Sequence, residues 1–163
     1  MTQEEKNLLL QDLCARLPYK VIVETRYNLY EGYGKEAHIV GEKIRDGLLI
    51  GMGDRENLII SFEDYNWESF SPESIKPYLR PLSTMTEEEK KEVSILLNYE
   101  FYIDDDCALV AEDDRHRIRL DLMQVYIDWL NAHYFDFYGL ISMGLAIEAP
   151  KGMYKNKDII YEM

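Results

Sequence analysis

Cysteine is scarce in this chain of 163 residues: there are two, Cys14 and Cys107, far apart in sequence. No C-x-x-C pair or Cys/His cluster exists, which argues against a structural zinc site or a disulfide framework. Two reduced thiols in a cytosolic protein is the reading that remains. Long apolar runs are missing as well. None approaches the roughly 18 residues of a membrane span. The opening MTQEEKNLLLQDL places acid where a secretion signal carries base. The expected compartment is therefore the cytoplasm. Basic residues are few: 18 Lys and Arg stand against 31 Asp and Glu, a formal charge of −13. Residues 1–82 hold 10 bases and 14 acids, residues 83–163 hold 8 and 17. Such a chain repels phosphate backbones and anionic membranes, which disfavours direct nucleic-acid binding and membrane attachment. Catalytic signatures are thin too. No serine sits in G-x-S-x-G. Gly32-Tyr33-Gly34 and Gly51-Met52-Gly53 lack the phosphate-loop patterns and read as hairpin and bulge glycines.

What is present is a foldable pattern. Hydrophobic residues make up 47% of the chain, too many for a disordered one. Thr2 and Glu5 form a capping box, Leu9, Leu13 and Leu17 recur at helical spacing, and Pro18 stops the run, so a helix is predicted over 3–16. Strand-like segments follow at Lys20–Tyr27, Ala37–Ile44, Leu48–Met52 and Leu58–Phe62, with turn chemistry between them. Asp46-Gly47 reads as a hairpin turn, because both residues tolerate positive φ. Pro72 suits the first position of a short helical turn, and Ile75–Leu82 is expected to close the meander and lead out of it. Thr86 with Glu89 caps a second helix ending near Asn98. A short second meander is predicted from Tyr99–Ile103, Ala108–Ala111 and Ile118–Leu120. Asp121 then caps a helix over Leu122–His133, Asp136 caps a turn that stops at Gly144, and Tyr154–Met163 frays. The expected fold is α+β. A small antiparallel β meander or SH3-like barrel fills the N-terminal half, packed with about three α-helices and a short second β meander. Two subdomains are expected, 1–82 and 83–163, sharing one core.

Two segments, IKPYLRPLSTMTEEE at 75–89 and DWLNAHYFDFYGLISMGLAIEAPKGMY at 128–154, are dense in aromatics and turn signals. With the helical start TQEEKNLLLQDLCARLPY, the chain resembles a family of small uncharacterised proteins from gut-dwelling anaerobic bacteria and their phages and mobile elements. The resemblance implies an accessory protein of a mobile element and carries over no catalytic residues.

Glu100–Asp114 holds seven carboxylates, and Asp104-Asp105-Asp106 could contact a cation. They lack calcium-loop spacing, and a solvated acidic loop is the better reading. Asp113-Asp114-Arg115-His116-Arg117 could suggest an acid/base pair, but strand neighbours point to opposite faces. His133 sits where a helix dipole favours it, and His38 lies in a strand. The aromatics Tyr27, Tyr30, Tyr33, Tyr65, Trp67, Phe70 and Tyr78 gather on the meander and its exit loop, and Tyr19 could join them. They either fill a small barrel's core or line a groove that grips another protein. The leading expectation is a non-enzymatic protein-interaction module whose partner is another protein and which needs no cofactor or metal. One alternative is an acidic decoy that covers a basic nucleic-acid-binding surface. The other is an enzyme, metal-dependent or with a general-acid site, built around Asp104–His116.

Overall fold

The structure is a computed structural model, in which residues 1–64, 66–97, 101–105, 109–111 and 120–154 are described. Helix α1 (Gln3–Arg16) opens on the capping box foreseen from sequence. Thr2 Oγ1 accepts from the Glu5 amide at 3.2 Å, and the Glu5 carboxylate accepts from the Thr2 amide at 2.6 Å. Pro18 ends it in a single tight turn. Strands β1 (Ile22–Glu31), β2 (His38–Met52), β3 (Leu58–Ser61), β4 (Trp67–Phe70) and β5 (Ile75–Pro81) follow. Helix α2 (Glu87–Leu96) carries a second capping box from Thr86 and Glu89. The hairpin β6 (Phe101–Ile103) and β7 (Leu109–Ala111), helix α3 (Leu120–Ala132) and the short strands β8 (Phe135–Asp136) and β9 (Ile147–Glu148) complete the chain.

The main sheet runs in the order β4-β3-β2-β1-β5-β8, with β9 also on β5. The fold is α+β, and its N-terminal part is an antiparallel meander. The sheet is open, however, and does not close as an SH3-like barrel would. Instead of returning to β4, β5 takes up β8 and β9 in parallel, pairing Arg80 with Phe135 and Tyr78 with Ile147. Two local expectations also change. Asp46-Gly47 is not a turn: both residues lie inside β2, opposite Glu24 and Val23 of β1. The glycine is needed for proximity, since a Cβ there would collide with Ile60 and lie 2.9 Å from the Ser61 carbonyl oxygen and from the Phe62 ring. Leu120 belongs to α3 rather than to a strand, and Asp121 lies inside that helix. Residues 118 and 119 lie outside the described residues, as do Tyr65, Asp106, Cys107 and 112–117.

Two apolar clusters hold the layers together. The first joins Leu9 and Leu13 of α1 to Val23, Leu49, Leu58, Ile60, Ile75 and Leu79 of the sheet, and draws in Leu140, Leu145 and Tyr154 from the C-terminal third. The second packs Val93 and Leu97 against Tyr126, Trp129, Leu130 and Phe135. Full burial of each such side chain contributes about 1.5–3 kcal/mol.

Between the clusters lies a buried polar centre. The Arg16 guanidinium donates to both oxygens of Asp12, each at 2.8 Å, one turn earlier on α1. It also donates to the carbonyls of Phe135 at 2.8 Å and Asn131 at 3.5 Å. Both side chains of the ion pair have no exposure. Burial pushes the Asp12 carboxyl up, the bonds from Arg16 oppose this, and the Asp136 charge adds to the rise. Asp136 in turn accepts from the Leu140 and Ile141 amides at 2.8 and 2.9 Å, which is the predicted cap, and Gly144 stops that turn at φ 72°. Much of the 128–154 segment is therefore scaffold that receives Arg16.

Tyr154 is a correction, because it is clasped rather than frayed. It is buried, its ring stacks on Tyr134 at 3.6 Å, and its hydroxyl donates to the Tyr78 carbonyl at 2.7 Å while accepting from the Ile22 amide at 3.3 Å. That stack accompanies an unusual backbone, since Tyr134 holds φ 62° where glycine is the easier residue. Tyr154→Phe leaves a strand carbonyl and a strand amide short of a partner. The expected cost is about 1–3 kcal/mol, read as a lower urea midpoint with an unchanged slope. An unchanged midpoint would show that the hydroxyl contributes nothing.

Candidate interaction surface

The β1–β2 hairpin is longer than the strands beside it. On one side, β5 reaches β1 only at Val23–Thr25. On the other, β3 reaches β2 only from Leu48 onward. Arg26–Glu31 and His38–Ile44 therefore project as a two-stranded ribbon about 20 Å long at 3.3 Å per residue. Among the described residues, neither outer edge of it has a ladder partner. Two-stranded ribbons are marginal in water by themselves, so what covers this one matters.

The ribbon's sequence explains its surface. Strand alternation sends Tyr27 to the core side with Val23 and Thr25, and it sends Arg26 and Tyr30 to the other side. Tyr30 pairs with Ile39, and Arg26 pairs with Ile44. A bulge at Val40 shifts the register next to Leu29. Leu29, Tyr30, Tyr33, Ile39, Val40 and Ile44 are all exposed. A separate register row runs Ile22, Leu48, Ser61, Trp67 across four strands, so Trp67 stands on the side of the sheet opposite Leu58 and Ile60.

The seven aromatics singled out from sequence divide by face. Tyr33 is 96% exposed, Trp67 65% and Tyr30 62%. Phe70 is buried, with its ring 5.8 Å from Tyr27 and 6.1 Å from Phe62, and the Arg45 guanidinium covers Phe62 at 3.9 Å. Tyr27 is half-buried, and the Lys43 ammonium lies 5.8 Å from its centroid. Tyr78 is half-buried and donates to Asp46 at 3.1 Å. Burial first, then that bond, push its phenol up to about 12. Tyr65 lies outside the described residues. The structure thus separates Tyr30, Tyr33 and Trp67, which face water, from Tyr27, Phe70 and Tyr78, which pack inward. Sequence reasoning missed the aliphatic companions Leu29, Ile39, Val40 and Ile44. Their signal was the hairpin length: the Gly32–Gly34 turn lies ten residues beyond Ile22, more than the flanking β3 and β5 can cover.

Among the described residues, no group of three or more His, Cys, Asp or Glu side chains could hold a metal ion. Asp104 and Asp105 are placed beside α2, with Lys90 Nζ 4.0 Å from Asp105, while the Asp113–Arg117 cluster lies outside the described residues. His133 Nδ1 lies 2.9 Å from the Trp129 carbonyl and its ring stacks on Trp129 at 4.0 Å, in keeping with a place at the helix end. His38 is exposed at the ribbon. A cleft of about 600 Å³ lies between the start of α2 and the loop 148–154, with Arg80, Glu89, His133 and Lys151 among its walls. Arg80 is committed there: it grips Glu89 through two bonds of 2.7 and 3.0 Å, donates to Thr84 and covers the Phe135 ring. Burial raises the Glu89 carboxyl, but Arg80 and the Thr86 amide outweigh it and hold the group below the usual carboxylate range. Among the described residues, no helix is long and apolar enough to cross a membrane. Comparison with protein-family models, curated proteins and solved structures finds no match to this chain.

Proposed function

We propose that this protein is a non-enzymatic interaction module that docks another protein on its projecting β1–β2 ribbon. Trp67 marks a second contact on the outer side of the sheet. The observation that carries this reading is the exposure of Tyr30, Tyr33, Ile39, Val40 and Ile44 on a ribbon whose outer side, among the described residues, has no layer over it. Monomeric proteins rarely leave contiguous apolar patches larger than a few hundred Å² in water, and larger ones mark interaction sites. Aromatic side chains of this kind supply the anchors at protein interfaces. The resemblance to mobile-element proteins supports an accessory role for such a module.

Photo-crosslinking tests the reading. A photoreactive residue in place of Tyr33 is expected to give a discrete protein adduct in extract of the source cells. The same residue in place of Lys91, on exposed α2, is expected to give none. Equal, diffuse labelling from both positions would remove the proposal.

The acidic-decoy reading draws on the 17 acids against 8 bases in residues 83–163. It requires association that weakens steeply as salt rises.

A further inference from the structure

The ribbon's charge narrows the choice of partner. From Glu24 to Asp46 there are five acidic and four basic residues, a net of −1, so nearly all of the −13 lies elsewhere. Several of these charges are also answered within the chain. Arg26 pairs with Glu24 at 2.7 Å, and Arg45 reaches Asp64 at 3.3 Å and Glu68 at 3.8 Å. The arm therefore offers little net charge to recruit a basic or acidic partner. What it offers is apolar surface with balanced polar edges, and the matching surface is another of the same kind.

The area is also of the right size. Leu29 shares the face of Tyr27, so five exposed apolar residues remain for the outer side of the arm and its tip, and they leave between 49% and 96% of their surface in water. At roughly 150–200 Å² for a large side chain, they present on the order of 600 Å². A standard interface takes about 800 Å² per partner. Ribbon edges and turn backbone, added to those side chains, make up most of the difference. A two-fold arrangement requires a patch that is complementary to itself. An arm with Tyr30 and Ile39 paired across it and Ile44 further along meets that condition without placing net charge on itself.

We infer that the β1–β2 ribbon is a self-association arm through which two copies of this chain form a homodimer, arm against arm. This rests on the interaction-module reading and names its partner as a second copy. The bulk of each subunit, strongly acidic, repels its twin at long range. Added salt screens that repulsion while leaving apolar contact intact. The dimer accordingly tightens as salt rises, the reverse of a decoy seated on a basic surface.

Sedimentation velocity on the full chain, over roughly 1–300 µM and at low and high salt, is the test. Wild type is expected to pass from monomer to dimer in this range, with an apparent Kd at least about threefold tighter at high salt. Tyr30→Glu with Ile39→Glu is expected to weaken the Kd more than about tenfold by placing four carboxylates in the contact. Tyr33→Ser alters the exposed tip without touching the ladder, is checked by an unchanged circular dichroism spectrum, and is expected to weaken association several-fold. A monomer at every concentration and salt overturns the inference, and so does a dimer that ignores both variants. Either result leaves the module itself standing if position 33 crosslinks to a different protein. A self-adduct in the crosslinking experiment with an arm-dependent dimer here supports both.

Discussion

Arg16→Met is expected to destabilise the protein by about 3–5 kcal/mol, the cost of breaking a buried ion pair from one side. The methionine can fill the space of the arginine stem, so the loss falls on the groups that Arg16 served. Asp12 keeps a carboxylate with no exposure and no cation, close enough to feel Asp136. The Phe135 carbonyl loses a 2.8 Å donor at the point where β8 joins the sheet. The pH dependence identifies the cause. Without Arg16 the Asp12 carboxyl in the fold rises further above its unfolded value near about 3.9. A carboxyl raised on folding contributes stability that is fully present below the unfolded pKa and is lost as pH rises through the folded one. The deficit against wild type should therefore shrink as the pH is lowered from neutrality toward 4. Asp12→Leu with Arg16→Met should recover part of the loss, because no charge is then stranded. The carbonyls of Asn131 and Phe135 still lack their donor, so recovery is incomplete. Urea unfolding at several pH values measures all three proteins. A single variant within about 0.5 kcal/mol of wild type would mean that the centre is accessible to water and does not hold the fold.

Gly47→Ala is expected to cost about 1–3 kcal/mol, the usual penalty for forcing a carbon into a filled space. The Ile60 atom in the way is Cγ2, which moves only if χ1 of a buried, β-branched side chain turns, and the Ser61 carbonyl oxygen, 2.9 Å from the new carbon, belongs to the ladder and cannot shift alone. Gly47→Val should be worse, since its branch points at the same obstacles. Gly41→Ala is the matched control on the same strand: nothing lies within 4 Å of a carbon there, and a change within about 0.5 kcal/mol is expected. Thermal unfolding of the three variants is sufficient. If the position 47 and position 41 variants melt together, β2 and β3 have room for a methyl group between them and the close approach does not limit stability.

Features governed by chemistry within a few residues could be read from sequence. Thr2 with Glu5 and Thr86 with Glu89 satisfy helix amides three residues away, and both caps form as predicted. Pro72 begins a short turn and Asp136 caps another for the same local reasons. Features governed by a distant neighbour could not be read. Gly47 carries the composition of a turn and serves instead as a point of close approach to a strand whose position is unknown until the sheet is built. Arg16 is one of 18 bases in the sequence, and nothing near it announces partners 115 and 119 residues away. The candidate surface divides along the same line. Composition found the aromatics on the meander, but whether a ring faces water depends on alternation and on where neighbouring strands stop. Tyr27 and Tyr30 are three apart, hence on opposite faces, and their roles differ accordingly. Ile39, Val40 and Ile44 have the profile of an interior strand, and among the described residues the shortness of β3 and β5 leaves them exposed.

The hydroxyl of Tyr154 fastens β1 to β5 from the far end of the described chain, 132 residues after the amide it meets. This sets a timetable for biosynthesis. On a ribosome adding roughly 5–20 residues per second, the early strands wait about 7–26 s before that residue is made. During the interval the nascent meander lacks both its clasp and the side chains that Leu140 and Leu145 bring to its interior. The young polypeptide is thus open to holding chaperones until Tyr154 emerges, and one cut short before it would leave β1 and β5 without their shared fastening.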